Sequence, residues 1–181
     1  MGIDGAQLMD LFTRLGELLQ NPTTLCLIGS TPGIATGQGN RQTPDIDVWQ
    51  ARSAYDATDL ARACEAAGFL FDPEGESDPE AMYIKVVRQE IVKIPRDFEL
   101  ETIGRYGNLN VVMPPPEIIA AAKLVRGSEI DLQDVAWWIG QRGLDASDIE
   151  AAIDLFPNSR NREAAQENIV LASLVADGHG K

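Results

Sequence analysis

The chain has 181 residues, 44% hydrophobic and 24% charged, which suits one folded core with an annex and excludes wholesale disorder. Its net charge of −13 opposes broad nucleic-acid affinity. No apolar run approaches the roughly 18 residues of a membrane span, and Met1-Gly2-Ile3-Asp4 lacks the basic start of a signal peptide, so a cytoplasmic protein without membrane contact is expected.

Leu8, Leu11, Phe12, Leu15, Leu18 and Leu19 recur at helical spacing, and Asn21-Pro22 ends that run. Leu25-Cys26-Leu27-Ile28 reads as a buried strand stopped by Gly29. The small-residue stretch from Gly29 to Pro44 reads as a loop. Asp45-Ile46-Asp47-Val48-Trp49 alternates with period 2, which predicts a second strand. Ser53 with Asp56 has the spacing of a capping box opening a helix that Gly68 closes. Residues 69–71 predict a short strand, Asp72 to Glu80 an acidic loop, and 81–88, 90–95 and 108–113 three further strands. Cys26 and Cys64 sit in apolar surroundings and read as reduced core residues.

Pro114-Pro115-Pro116 marks a change, and the pattern beyond it is helical: 117–126, 131–141, 146–156 and 160–176. Ser128 with Asp131 and Asp145 with Asp148 have capping-box spacing, and Gly143 is a natural stop. Trp137-Trp138 sends two indoles in different directions, one to the core and one to its edge or an interface. The sole histidine, His179, lies in a polar tail, which leaves no histidine-based triad or zinc site. The expected fold class is α+β, with an α/β core over 1–113 and a helical subdomain over 114–181. Residues 85–126 carry seven bases (Lys85, Arg88, Lys93, Arg96, Arg105, Lys123, Arg126) against five acids, so the rest holds all the net negative charge. That relatively basic middle suits an anionic ligand, or equally a set of solvent-facing strand edges.

The chemistry centres on Asp45 and Asp47. Two apart on a strand, their carboxylates leave the same face. Like charges that close raise each other's pKa unless a cation lies between them. A hard divalent ion such as Mg²⁺ or Mn²⁺ takes one or two carboxylates plus substrate phosphates. Upstream, Gly29-Ser30 ends the preceding strand; glycine there lets backbone approach a phosphate, and Ser30 can donate to it.

Strand, Gly29-Ser30, a short excursion, then Arg41-Gln42-Thr43-Pro44-Asp45-Ile46-Asp47 resembles the signature of the nucleotidyltransferase superfamily. It looks like the form seen in abortive-infection and type IV toxin–antitoxin members and their uncharacterised bacterial relatives. Pro116-Glu117-Ile118-Ile119-Ala120-Ala121-Ala122-Lys123-Leu124 followed by Asp131-Leu132-Gln133-Asp134-Val135 resembles a second segment of that family. The resemblance implies a mixed β-sheet with flanking helices and a C-terminal helical bundle. It implies nucleotidyl transfer from a nucleoside triphosphate (NTP), with Asp45 and Asp47 holding the metal. Lys123 and Asp134 would serve catalysis, and Gly29, Ser30, Arg41, Thr43, Lys93 and Asp131 the nucleotide. The implied acceptor is an RNA, a protein or a small molecule, with a cognate antitoxin as a further partner.

Plainer readings of the same residues stand beside these. Lys123 reads as a surface lysine, Asp131 as the third-position acid of the Ser128 capping box, and Asp134 as an exposed helix acid. The sequence also departs from the family. Where active relatives carry a third acid on a later strand, Ile91-Val92-Lys93-Ile94 offers Lys93, with Glu90 on the other strand face. Thr31 to Asn40 is longer than usual, and Ile130 stands where relatives have a base. A catalytically weak or inactive nucleotide-binding or partner-binding module of the same fold is therefore the alternative.

Overall fold

The apolar stripe of Leu8, Leu11, Phe12 and Leu15 forms the buried face of helix α1 (Gly5–Leu18). Asp4 caps it in a reciprocal box with Gln7, satisfying first-turn amides that the helix itself cannot. A computed structural model describes residues 2–73, 82–88, 94–95 and 97–178. The described residues of Met1–Val92 with Leu100–Met113 form one compact unit, and those of Lys93–Glu99 with Pro114–Lys181 a second.

In the first unit the chain runs through β1 (Thr23–Cys26), α2 (Thr31–Ala35), β2 (Asp45–Trp49), α3 (Ala57–Ala66), β3 (Leu70–Phe71), β4 (Tyr83–Val87), β5 (Glu101–Tyr106) and β6 (Leu109–Met113). Among the described residues these form two three-stranded sheets, ordered β1-β6-β5 and β2-β4-β3. β1 runs parallel to β6, and β5 antiparallel to it; β2, β4 and β3 are all parallel. An antiparallel bridge between Leu27 and Val48 joins the end of β1 to β2. The core gathers α1, α3 and the inward face of the strands, including Phe12, Leu25, Leu27, Ile46, Val48, Leu60 and Ile84.

Several expectations change here. The stretch from Gly29 to Pro44 is not all loop: Thr31-Pro32-Gly33-Ile34-Ala35 makes the short helix α2, with Pro32 near its start and four of its residues buried. Its glycine and proline give no helical signal, and burial stabilises it instead. Ser53 does not cap α3. Its hydroxyl accepts from the Cys26 amide at 2.9 Å and donates to the Trp49 carbonyl at 2.7 Å, so Asp56 caps the helix, accepting from the Asp59 amide. β5 was not expected at all, and Tyr106-Gly107-Asn108-Leu109 turns it into β6. Of the expected strand over 90–95, residues 90–93 lie outside the described residues and 94–95 are not in a strand. The acidic loop from Asp72 is described only at residues 72 and 73, and His179 is likewise outside.

The second unit contains α4 (Pro116–Arg126), α5 (Glu129–Arg142), α6 (Ala146–Asp154) and α7 (Ser159–Gly178), with α4 packed on the other three. Both C-terminal capping boxes form as the sequence predicts. Gly127 and Gly143 end their helices in the left-handed conformation, at φ 62° and 66°. Trp138 is buried, and half-buried Trp137 meets it edge-on at 4.8 Å between ring centres. No helix among the described residues is long and apolar enough to cross a membrane.

Candidate functional site

Alternation along β2 sends Ile46 and Val48 into the core and leaves Asp45 and Asp47 half-buried on the opposite face. The neighbouring strand continues that division. In parallel register Tyr83 stands beside Asp45 and Lys85 beside Asp47, while Ile84, beside Ile46, enters the core. The face opposite the core therefore carries two carboxylates, a phenol and an exposed ammonium.

The Gly29-Ser30 corner meets this face at the end of β1. Ile28 donates its amide to the Asp47 carbonyl at 3.0 Å, drawing the two chain segments together. Gly29 follows at φ +71°, and a Cβ there would stand 2.6 Å from Asp47 Oδ2. Glycine is thus required twice at this position, by conformation and by proximity. Ser30 accepts a 3.0 Å hydrogen bond from Arg41 Nη2, and Thr43 Oγ1 donates to Asp45 Oδ1 at 3.3 Å. The segment carrying Arg41 and Thr43 is anchored by paired amide hydrogen bonds between Ile3 and Thr43, at 2.7 and 3.2 Å. Six of the expected site residues (Gly29, Ser30, Arg41, Thr43, Asp45 and Asp47) are thereby brought together.

Lys123, Asp131 and Asp134 gather in the helical unit. Lys123 Nζ donates to Asp134 Oδ2 at 2.7 Å and lies 3.7 Å from Asp131 Oδ1. Arg126 grips Asp131 with two nitrogens, at 2.6 and 2.5 Å. Asp131 also serves the Ser128 capping box, as one of the plain readings held. The other two plain readings are overturned. Lys123 is 5% exposed and Asp134 1%, so they are neither a surface lysine nor an exposed helix acid. Burial pushes the Asp131 carboxyl up, but hydrogen bonds from Arg126 and Ser128 and the Lys123 charge outweigh it and hold it below the usual range. The cluster staples α4 to α5 across the Gly127-Ser128 turn.

Lys93 lies outside the described residues. Lys85, which the sequence marked only as part of the basic middle, is the residue that β4 sets beside Asp47. Strand register supplies that neighbour, and register between distant strands cannot be read from one sequence. Among the described residues no three His, Cys, Asp or Glu side chains gather as a metal-binding group. Asp45 and Asp47 offer oxygen donors only. Such a pair fits a hard divalent ion that completes its shell with phosphate and water, and does not fit a zinc site.

A family model described as a nucleotidyltransferase of unknown function matches residues 6–164. Among solved structures, the chain is similar to an antigenic nucleotidyltransferase-like protein from Paracoccidioides brasiliensis. The TM-score is 0.56 at 16% identity, over 98% of this chain and 94% of that one, a likeness of fold alone. No curated protein sequence matches the chain.

Proposed function

The chain belongs to the family of nucleotidyltransferases of unknown function, and we propose that it moves a nucleotide from a nucleoside triphosphate to an acceptor hydroxyl, at the face carrying Asp45 and Asp47. The observation that carries this reading is the approach of Gly29 to the Asp47 carboxylate. A backbone corner without a side chain stands against two outward acids, where a polyphosphate would need close backbone contact.

In the proposed reaction an acceptor hydroxyl oxygen attacks the α-phosphorus, a new P–O bond forms, the bond to pyrophosphate breaks, and the hydroxyl proton passes to water. Asp45 and Asp47 would hold a magnesium or manganese ion. Bound there, the ion supplies charge for the phosphate oxygens. Thr43 fixes the Asp45 carboxylate from the side, so its free oxygen keeps one direction. Arg41, tethered to Ser30, offers guanidinium charge beside the Gly29 corner. This reading is built on the face of β2, and it gives Lys123 and Asp134, 2.7 Å apart in the helical unit, the task of holding α4 to α5.

A second reading, a nucleotide-binding module without turnover, is favoured by one observation: the neighbour that β4 places beside Asp47 is a base, Lys85. The experiment begins with thermal melts of the wild-type chain with each NTP, with and without Mg²⁺ or Mn²⁺. It continues with labelled-nucleotide incorporation into RNA, protein and small-molecule acceptors. Binding should raise the Tm by mass action, and Asp45→Asn with Asp47→Asn should lose the part of that rise that depends on the divalent ion while staying folded. A metal-dependent rise that survives the double substitution would reject the site. Binding without incorporation into any acceptor would select the module.

A further inference from the structure

The face opposite the core holds a charge pattern that the acid pair alone does not explain. Parallel pairing sets Lys85 in register with Asp47, and neighbouring strands run about 4.8 Å apart, so ammonium and carboxylate rise side by side. Lys85 is exposed, and its side chain makes no ion pair or hydrogen bond with any described residue. A cross-strand ion pair that merely stabilised the sheet would close onto Asp47. Arg41 stands on the other flank of the acids, at the Ser30 corner. Two carboxylates with two cations make a constellation of zero formal charge. A bare acid pair would repel a triphosphate until a divalent ion entered, whereas this face already contains the compensating charge.

We propose that Lys85 is a phosphate-binding residue of this face, its ammonium gripping the polyphosphate beside Asp47, so that a triphosphate binds without a divalent ion. The proposal rests on the reading of this face as the nucleotide site, and it names the protein group that takes part of the metal's usual charge. Lysine suits the task as a compact ammonium with three donors on a flexible stem.

Inorganic tripolyphosphate is the probe, because it carries the shared polyphosphate without committing to a base. Its binding to the full chain is measured by calorimetry in EDTA and again in Mg²⁺, alongside the NTP melts described above. Wild type should bind in EDTA. Lys85→Ala should weaken that binding roughly tenfold or more, the scale of one lost charged hydrogen bond, and Lys85→Arg should restore most of it. Lys85→Ala should lose less affinity in Mg²⁺ than in EDTA, a difference that a general loss of stability would not produce. Lys85 is exposed, so these variants should melt as wild type does. Equal binding by wild type and Lys85→Ala in EDTA overturns the role of Lys85. So does wild-type binding that appears only with Mg²⁺; if Asp47→Asn abolishes that binding, the nucleotide site itself stands. No binding of tripolyphosphate or any NTP under either condition overturns both.

Discussion

The backbone of Gly29 comes so near the Asp47 side chain that a Cβ at position 29 would lie 2.6 Å from Oδ2. Gly29→Ala should therefore act on structure and site together. The left-handed backbone, at φ +71°, costs a non-glycine residue about 1–2 kcal/mol, and the carboxylate must also shift. Urea titration should show a stability loss of at least that size, and the NTP-dependent rise in Tm should disappear. An alanine variant of unchanged stability that still binds nucleotide would show that this corner has room to spare.

Lys123 and Asp134 make a different prediction, about stability rather than ligand. Each is nearly sealed from solvent, and their 2.7 Å contact compensates both charges. Removing the ammonium takes from buried Asp134 its 2.7 Å partner and from Asp131 a charge at 3.7 Å, so Lys123→Ala should cost about 3–5 kcal/mol. Replacing both, as Lys123→Met with Asp134→Leu, should recover much of that loss, because a buried pair can often be exchanged for apolar packing. Urea melts of the single and double variants provide the comparison, and an additive double variant would contradict the pairing.

Asp59 ties the end of α1 to α3. It accepts from the Gln20 and Asn21 amides at 2.9 Å each and from Arg62 Nη2 at 2.6 Å. The Arg62 hydrogen bond comes first among the causes that hold its carboxyl below the ordinary range, with the two amides adding to it against a desolvation cost. A lowered folded pKa means that the unfolded chain binds the proton more readily. The resulting stability is present above the unfolded value of about 3.9 and is lost as pH falls through the folded one. Stability measured from neutral pH down to about 3 should fall less steeply in Asp59→Asn than in wild type. Parallel curves would assign the acid sensitivity elsewhere.

Cys26 and Cys64 are both buried and free, as their apolar surroundings predicted. Burial pushes each thiol up to about 12, with Arg52 pulling Cys26 slightly back. The thiolate is the reactive form, so native alkylation near neutral pH should run at least about a thousandfold slower than in denaturant. Mass spectrometry after timed iodoacetamide treatment reads this directly. Rapid labelling of either cysteine in the folded chain would refute its burial.

The sequence made legible what local chemistry decides. Asp145 and Ser128 cap their helices, and the alternation around Asp45 and Asp47 does divide core from outward face. It misled where a distant partner claims a group. The Ser53 hydroxyl has a sound capping position, yet Cys26 and Trp49 occupy it. Thr31–Ala35 turns helical without any periodic signal, since four buried residues and a proline start suffice for five residues. Tyr106-Gly107-Asn108-Leu109 did contain a readable hairpin signal, a two-residue Gly-Asn loop between apolar residues; Gly104 and the bulge beside it hid the strand before the turn. At the site, the Gly29 corner and the acid pair were readable. Lys85 was not, because its importance depends wholly on which strand lies beside β2.

The pairing of β1 with β6 sets an order of events during synthesis. β1 delivers Gly29, yet among the described residues its one ladder partner is β6, and Thr23 there faces Leu109 at the far end of the unit's sequence. A nascent chain that has reached β4 already owns both aspartates, Lys85 and the Leu27–Val48 bridge, but the strand that presses Gly29 against Asp47 still lacks its ladder partner. Such long-range closure is slow compared with local helix formation. Affinity for nucleotide should therefore emerge late on the ribosome, only after Leu109–Val112 have left the exit tunnel and locked β1 in place.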